Sequence, residues 1–131
     1  RSLLPTKTVK LMEELESLTE NYQNYHLTFA LGYGGRAEVV RCVKKIISKK
    51  VEIGEINEET LFQCLDTREL PQPEPDVVVR TGGERRLSNF LLYQTAYSEL
   101  IFLDKLWPEI EREDVRYMVE EYSNRQRRFG R

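Results

Sequence analysis

Val77-Val78-Val79 narrows what this chain can become more than any other segment. A short apolar, β-branched run reads as a strand covered on both faces, the habit of parallel sheets. Pro71, Pro73 and Pro75 lead into it and keep the approach extended. Directly after it come Arg80-Thr81-Gly82-Gly83-Glu84-Arg85-Arg86-Leu87-Ser88. Open α/β sheets bind ligands beyond the carboxyl ends of their strands. Two adjacent glycines let backbone N–H groups come close to an anion. Arginine adds a planar fork that matches phosphate oxygens. The segment predicts a phosphate or diphosphate pocket, with Arg80, Arg86 and Ser88 as candidate ligands.

The flanking pattern supplies the rest of an α/β fold. Pro5 suits the first turn of a helix, and Leu11, Met12, Leu15 and Leu18 follow at helical spacing. Leu27-Thr28-Phe29-Ala30-Leu31 reads as a buried strand that ends at Gly32-Tyr33-Gly34-Gly35-Arg36. Val39, Val40, Val43, Ile46 and Ile47 predict the next helix, with Lys44, Lys45, Lys49 and Lys50 at its carboxyl end, where the helix dipole favours cations. Asn57 is placed to cap a short helix through Leu61, Phe62 and Leu65. Ser88 is expected to cap a helical turn carrying Phe90, Leu91 and Leu92. Glu99-Leu100-Ile101-Phe102-Leu103 predicts another strand, Trp107-Pro108 a turn, and Val115, Met118, Val119 and Tyr122 a last helix from about Glu111 to Arg127. This order predicts one α/β domain over residues 1–131: a mostly parallel sheet with helices on both faces. The chain opens at Arg1 without Met, so the sheet's first strand is expected upstream.

Bulk composition mainly excludes. Among 131 residues the formal net charge is -2, which gives no pull toward nucleic acid. No apolar run approaches the ~18 residues of a membrane span, and no basic stretch precedes an apolar one as in a secretion signal. Cys42 and Cys64 lack metal-binding spacing and predict two reduced thiols, hence a cytoplasmic setting.

Other candidates carry two readings each. Glu99, at the start of an apolar strand, is either a magnesium ligand beside a diphosphate or a charge at a sheet edge. Glu84 either orients Arg80 or Arg86, or is a solvated turn residue. Gly32-Tyr33-Gly34-Gly35 is either a second anion-facing turn or a strand-to-helix turn needing positive φ. His26 has no acidic or metal-binding neighbour in sequence and reads as structural. Arg125, Arg127, Arg128 and Arg131 form a basic tail, too small for a nucleic-acid face and better suited to a phosphate contact.

Taken together, Val78 to Leu92, Gln94, Ala96-Tyr97, Glu99-Leu100 and Leu106-Trp107-Pro108 closely resemble the signature of cis-prenyltransferases. Tyr33-Gly34-Gly35-Arg36 and Arg127-Arg128-Phe129-Gly130 resemble two further motifs of that family, in the same order. The resemblance runs from about Leu27 to Arg131. It implies condensation of isopentenyl diphosphate with an allylic prenyl diphosphate, giving long polyprenyl diphosphates that carry sugars. By that resemblance Arg80, Arg86 and Ser88 hold the isopentenyl diphosphate headgroup. Arg128 and Gly130 belong to a motif that reaches a diphosphate across a homodimer, and Glu99 helps place Mg²⁺. The catalytic aspartate lies in an N-terminal half that these residues do not include, so the 131 residues alone are expected to lack transfer activity. Peripheral contact with membranes is a further expectation of the resemblance. Gly32, Arg85 and Tyr93 depart from residues frequent in bacterial members. Two rival readings are a non-catalytic accessory subunit and a generic phosphate-binding module.

Overall fold

The computed structural model describes residues 4–125. The chain forms two compact units, residues 1–33 and 34–131.

The first unit is carried by helix α1 (Thr6–Thr19), which Pro5 precedes at the capping position with φ -57°. Leu11, Leu15 and Leu18 recur at helical spacing, and each is more than half exposed. The segment Leu27–Leu31 has no ladder partner and is not a strand, because the one described sheet consists of two later segments.

In the second unit, helix α2 (Gly35–Ser48) buries Glu38, Cys42 and Ile46 along one stripe and leaves Val40, Val43 and Ile47 exposed. The turn Ile53–Glu55 leads to helix α3 (Glu58–Phe62). Asn57 caps α3 as its sequence position predicts: its side chain accepts from the Thr60 N–H at 2.9 Å. Cys42 and Ile46 of α2 meet Cys64 and Leu65 just beyond α3, with Val51, Leu61, Phe62 and Tyr93 packed around them. Full burial of side chains such as Ile46 and Leu65 contributes roughly 1.5–3 kcal/mol each.

Strands β1 (Val77–Arg80) and β2 (Glu99–Phe102) pair in parallel, with Val77 opposite Glu99 and Arg80 opposite Phe102. The Glu99 N–H donates to the Asp76 carbonyl at 3.0 Å, and the Leu103 N–H to the Arg80 carbonyl at 2.8 Å. A parallel pair needs a long crossover; here it is residues 81–98, and it contains no helix. The helical turn expected after Ser88 is absent because Ser88, Asn89 and Leu91 hold φ of 48°, 69° and 43°. Left-handed residues break a right-handed helix, and for the same reason Ser88 is not an N-cap.

Helix α4 (Arg112–Asn124) follows a turn at Trp107–Glu109. Asp114 accepts from the Glu111 N–H and from Lys105 Nζ, both at 2.8 Å, which holds its carboxyl below the usual carboxylate range, the lysine bond contributing most.

Candidate functional site

Arg80 is the last residue of β1, so its side chain leaves the sheet at the carboxyl edge. There its Nη1 donates to Ser88 Oγ at 2.8 Å and to the Arg86 carbonyl. The Arg86 guanidinium is paired with Glu84, which settles which arginine Glu84 orients. Arg80 and Arg86 share a concavity of about 190 Å³ with Val78, Val79, Leu87, Phe90, Leu100 and Phe102. Two arginines and six apolar residues thus border one cavity. A guanidinium has five N–H donors. Arg80 Nη1 faces its protein acceptors, which leaves the N–H groups of Nε and Nη2 as further donors.

The double glycine acts differently from expectation. The Gly82 N–H donates to the Lys105 carbonyl at 2.8 Å, and the Gly83 N–H to the Leu103 carbonyl at 3.0 Å. Both donors are spent inside the fold, so neither forms an anion nest. What the pair contributes is backbone shape: φ of 88° and 76° are available to glycine at little cost and let the chain reverse after β1.

The second glycine turn is likewise not an anion site. Gly34 holds the N-cap position of α2, extended at φ -157°, so left-handed backbone is not the reason for a glycine there. The first N–H groups of α2 are met from a distant segment. The Asn89 carbonyl accepts from the Gly35 N–H at 2.8 Å, and Asn89 Oδ1 accepts from the Arg36 N–H at 2.9 Å. A Cβ on Gly34 would stand 2.8 Å from Asn89 Nδ2, and one on Gly35 would stand 2.9 Å from Leu92 Cγ. Two glycines make room for the crossover to dock on the start of the helix.

Deeper in, Glu38 and Gln94 are each 1% exposed. Gln94 Nε2 donates to both Glu38 carboxylate oxygens at 3.1 and 3.2 Å and lies 3.3 Å from Thr67 Oγ1. Glu38 Oε1 also accepts from the Asp66 N–H at 2.7 Å. Sequence reasoning missed Glu38, Asn89 and, beyond a motif match, Gln94. An acid on the otherwise apolar stripe of α2 was the one signal available.

Glu99 is placed away from Arg80. The register puts it opposite Val77, at the amino end of the ladder, three rungs from the Arg80–Phe102 pair. Its carboxylate is held by Arg125 at 3.1 Å, and Arg125 also donates to Glu121 at 2.8 Å and to the Leu100 carbonyl at 2.9 Å. Arg125 thus belongs to a structural ion pair, with its Glu121 partner at the i,i+4 spacing. Among the described residues no three His, Cys, Asp or Glu groups come together. Mg²⁺ sites use one or two carboxylates together with waters and substrate phosphates, and here the one carboxylate, Glu99, is held by Arg125. The described residues do not assemble a magnesium site around Glu99.

Arg127, Arg128, Gly130 and Arg131 lie outside the described residues. Cys42 and Cys64 are free and buried, and burial pushes the Cys42 thiol up to about 11. Among the described residues no helix is long and apolar enough to cross a membrane.

Residues 1–130 match a family model described as putative undecaprenyl diphosphate synthase. The chain is 74% identical, over all of its length, to a tritrans,polycis-undecaprenyl-diphosphate synthase (geranylgeranyl-diphosphate specific) of Pyrobaculum aerophilum, of which it covers 55%. It is 47% identical to an isoprenyl transferase of Aquifex aeolicus, again covering 55% of that protein. Among solved structures, lavandulyl diphosphate synthase from Lavandula x intermedia, in complex with dimethylallyl diphosphate, superposes with a TM-score of 0.95 at 34% identity. That match covers 99% of this chain and 57% of the other. A probable undecaprenyl diphosphate synthase from Campylobacter jejuni superposes at 0.85 with 35% identity, over 99% of this chain and 59% of that one. The chain thus spans about half the length of the curated relatives it matches.

Proposed function

The chain belongs to the undecaprenyl diphosphate synthase family of prenyltransferases, and we propose that the whole protein condenses isopentenyl diphosphate with an allylic prenyl diphosphate. The observation that carries this reading is that Arg80, at the carboxyl end of β1, and Arg86 line one apolar concavity against the two strands. In this reading Arg80, Arg86 and Ser88 hold the diphosphate of isopentenyl diphosphate. The apolar walls take its five-carbon tail and keep water from it.

The chemistry is a substitution at carbon. The allylic C–O bond breaks and diphosphate departs with the electron pair. The isopentenyl double bond attacks the allylic carbon and forms the new C–C bond, and a proton is then lost to make a double bond of Z geometry. Arg80 and Arg86 act by fixing the nucleophile's headgroup, which converts encounter into alignment. Their charge also offsets diphosphate charge. The allylic substrate to test first is geranylgeranyl diphosphate, for which the Pyrobaculum relative is described as specific. A homodimer, with Arg128 and Gly130 reaching a diphosphate, completes the reading.

Radiolabelled isopentenyl diphosphate, incubated with the full-length protein, Mg²⁺ and geranylgeranyl diphosphate, tests it. Label in an extractable polyprenyl product supports the reading. No incorporation with geranylgeranyl, farnesyl or dimethylallyl diphosphate refutes it.

A further inference from the structure

The segment that carries Ser88 sits in a backbone conformation it would not choose alone. Ser88, Asn89 and Leu91 all have left-handed φ, a state that persists in non-glycine residues only where the surroundings over-determine it. The surroundings are the first turn of α2. Its N-cap, Gly34, has no side chain with which to cap the helix. Asn89 does the capping from outside, 53 positions along the chain for the Arg36 N–H, with its own carbonyl on the Gly35 N–H. Gly34 and Gly35 leave no room for a Cβ between helix and segment. Asparagine unites what the position needs, a tolerated left-handed backbone and a side-chain oxygen that caps. One residue before it, Ser88 Oγ accepts from Arg80 Nη1 at 2.8 Å.

We infer that Asn89 is a positioning residue for the diphosphate site, borrowed by α2 as its N-cap, and that Gly34 and Gly35 serve the same site by admitting it. The inference rests on the isopentenyl diphosphate reading of Arg80, Arg86 and Ser88. Asn89 acts through its neighbours: docking Asn89 fixes Ser88, and Ser88 with the Arg86 carbonyl aims the Arg80 guanidinium. The glycine turn and the arginine-glycine block, far apart in sequence, form one mechanical unit.

The test uses the full-length protein with isopentenyl diphosphate as the probe. Dissociation constants, and KM against kcat, are measured for the unaltered protein, Gly34→Ala, Asn89→Ala and the double variant. Removing a helix cap is expected to cost about tenfold in isopentenyl diphosphate affinity in each single variant. KM should rise with kcat held within about twofold. The double variant should be no weaker than Asn89→Ala alone, since deleting the amide removes the clash with the new methyl group. Asn89→Gly, which accepts the left-handed backbone without a cap, should match Asn89→Ala and serves where that variant fails to fold. Unchanged affinity in folded variants, or losses that multiply in the double variant, overturn the inference alone. No binding by the unaltered protein overturns the isoprenoid reading, and this inference with it.

Discussion

Arg80 Nη1 and Ser88 Oγ are 2.8 Å apart across a loop of eight positions, so the serine hydroxyl restrains the arginine before any anion arrives. Ser88→Ala removes that restraint and one hydroxyl donor while leaving the Arg86 carbonyl in place. Loss of a hydrogen bond to a charged group costs about 1.5–3 kcal/mol, so isopentenyl diphosphate affinity in the full-length protein should fall about ten- to a hundredfold. Isothermal titration reads this directly, and the melting temperature should move little because Ser88 is exposed.

The buried Glu38–Gln94 pair makes a stability prediction separate from the site. Gln94 Nε2 is held by both oxygens of a carboxylate that is itself 1% exposed. Gln94→Leu keeps volume but strips Glu38 of that donor. An under-satisfied buried acceptor costs about 1–3 kcal/mol, to be read as a lower denaturation midpoint in urea. Gln94 Oε1 has no hydrogen-bond partner among the described residues, so the loss should come from the amide N–H₂ alone. Gln94→Glu, which presents a carboxylate to a carboxylate, should be worse than Gln94→Leu.

Cys42 gives a pH prediction. Burial lifts its thiol from 9.0 to about 11, so between those values the unfolded chain releases a proton that the folded chain keeps. Stability from this group is intact below pH 9 and declines as pH rises from about 9 to about 11, by about 2 kcal/mol. Cys42→Ala should flatten that part of the stability profile relative to the parent protein. At neutral pH the protonated, buried thiol should react with a disulfide reagent only as fast as the structure opens. Immediate reaction in native buffer would contradict this.

What could be read from residue order was local. β1 announces itself in three valines before an arginine, and Asn57 caps α3 because an N-cap needs only neighbours three residues away. The arginine cluster was legible because a strand end and its loop are contiguous. The conformation of Ser88 to Leu91 was not, since Phe90-Leu91-Leu92 read as helical and the left-handed backbone is imposed by docking onto α2. The same holds for Gly82 and Gly83: their N–H groups are taken by carbonyls of Leu103 and Lys105, residues beyond β2 that no local pattern points to. The distance between Glu99 and Arg80 was not legible either, because sequence gives no strand register, and the register sets the two three rungs apart.

The most direct measurement of the central claim is isopentenyl diphosphate affinity in the full-length protein, with and without the Arg80 guanidinium. The account predicts saturable binding that falls at least about a hundredfold in Arg80→Ala, as for loss of a charge-assisted diphosphate contact of about 3 kcal/mol, with inorganic sulfate a poor competitor. Equal affinity in the parent protein and a folded Arg80→Ala variant would contradict it.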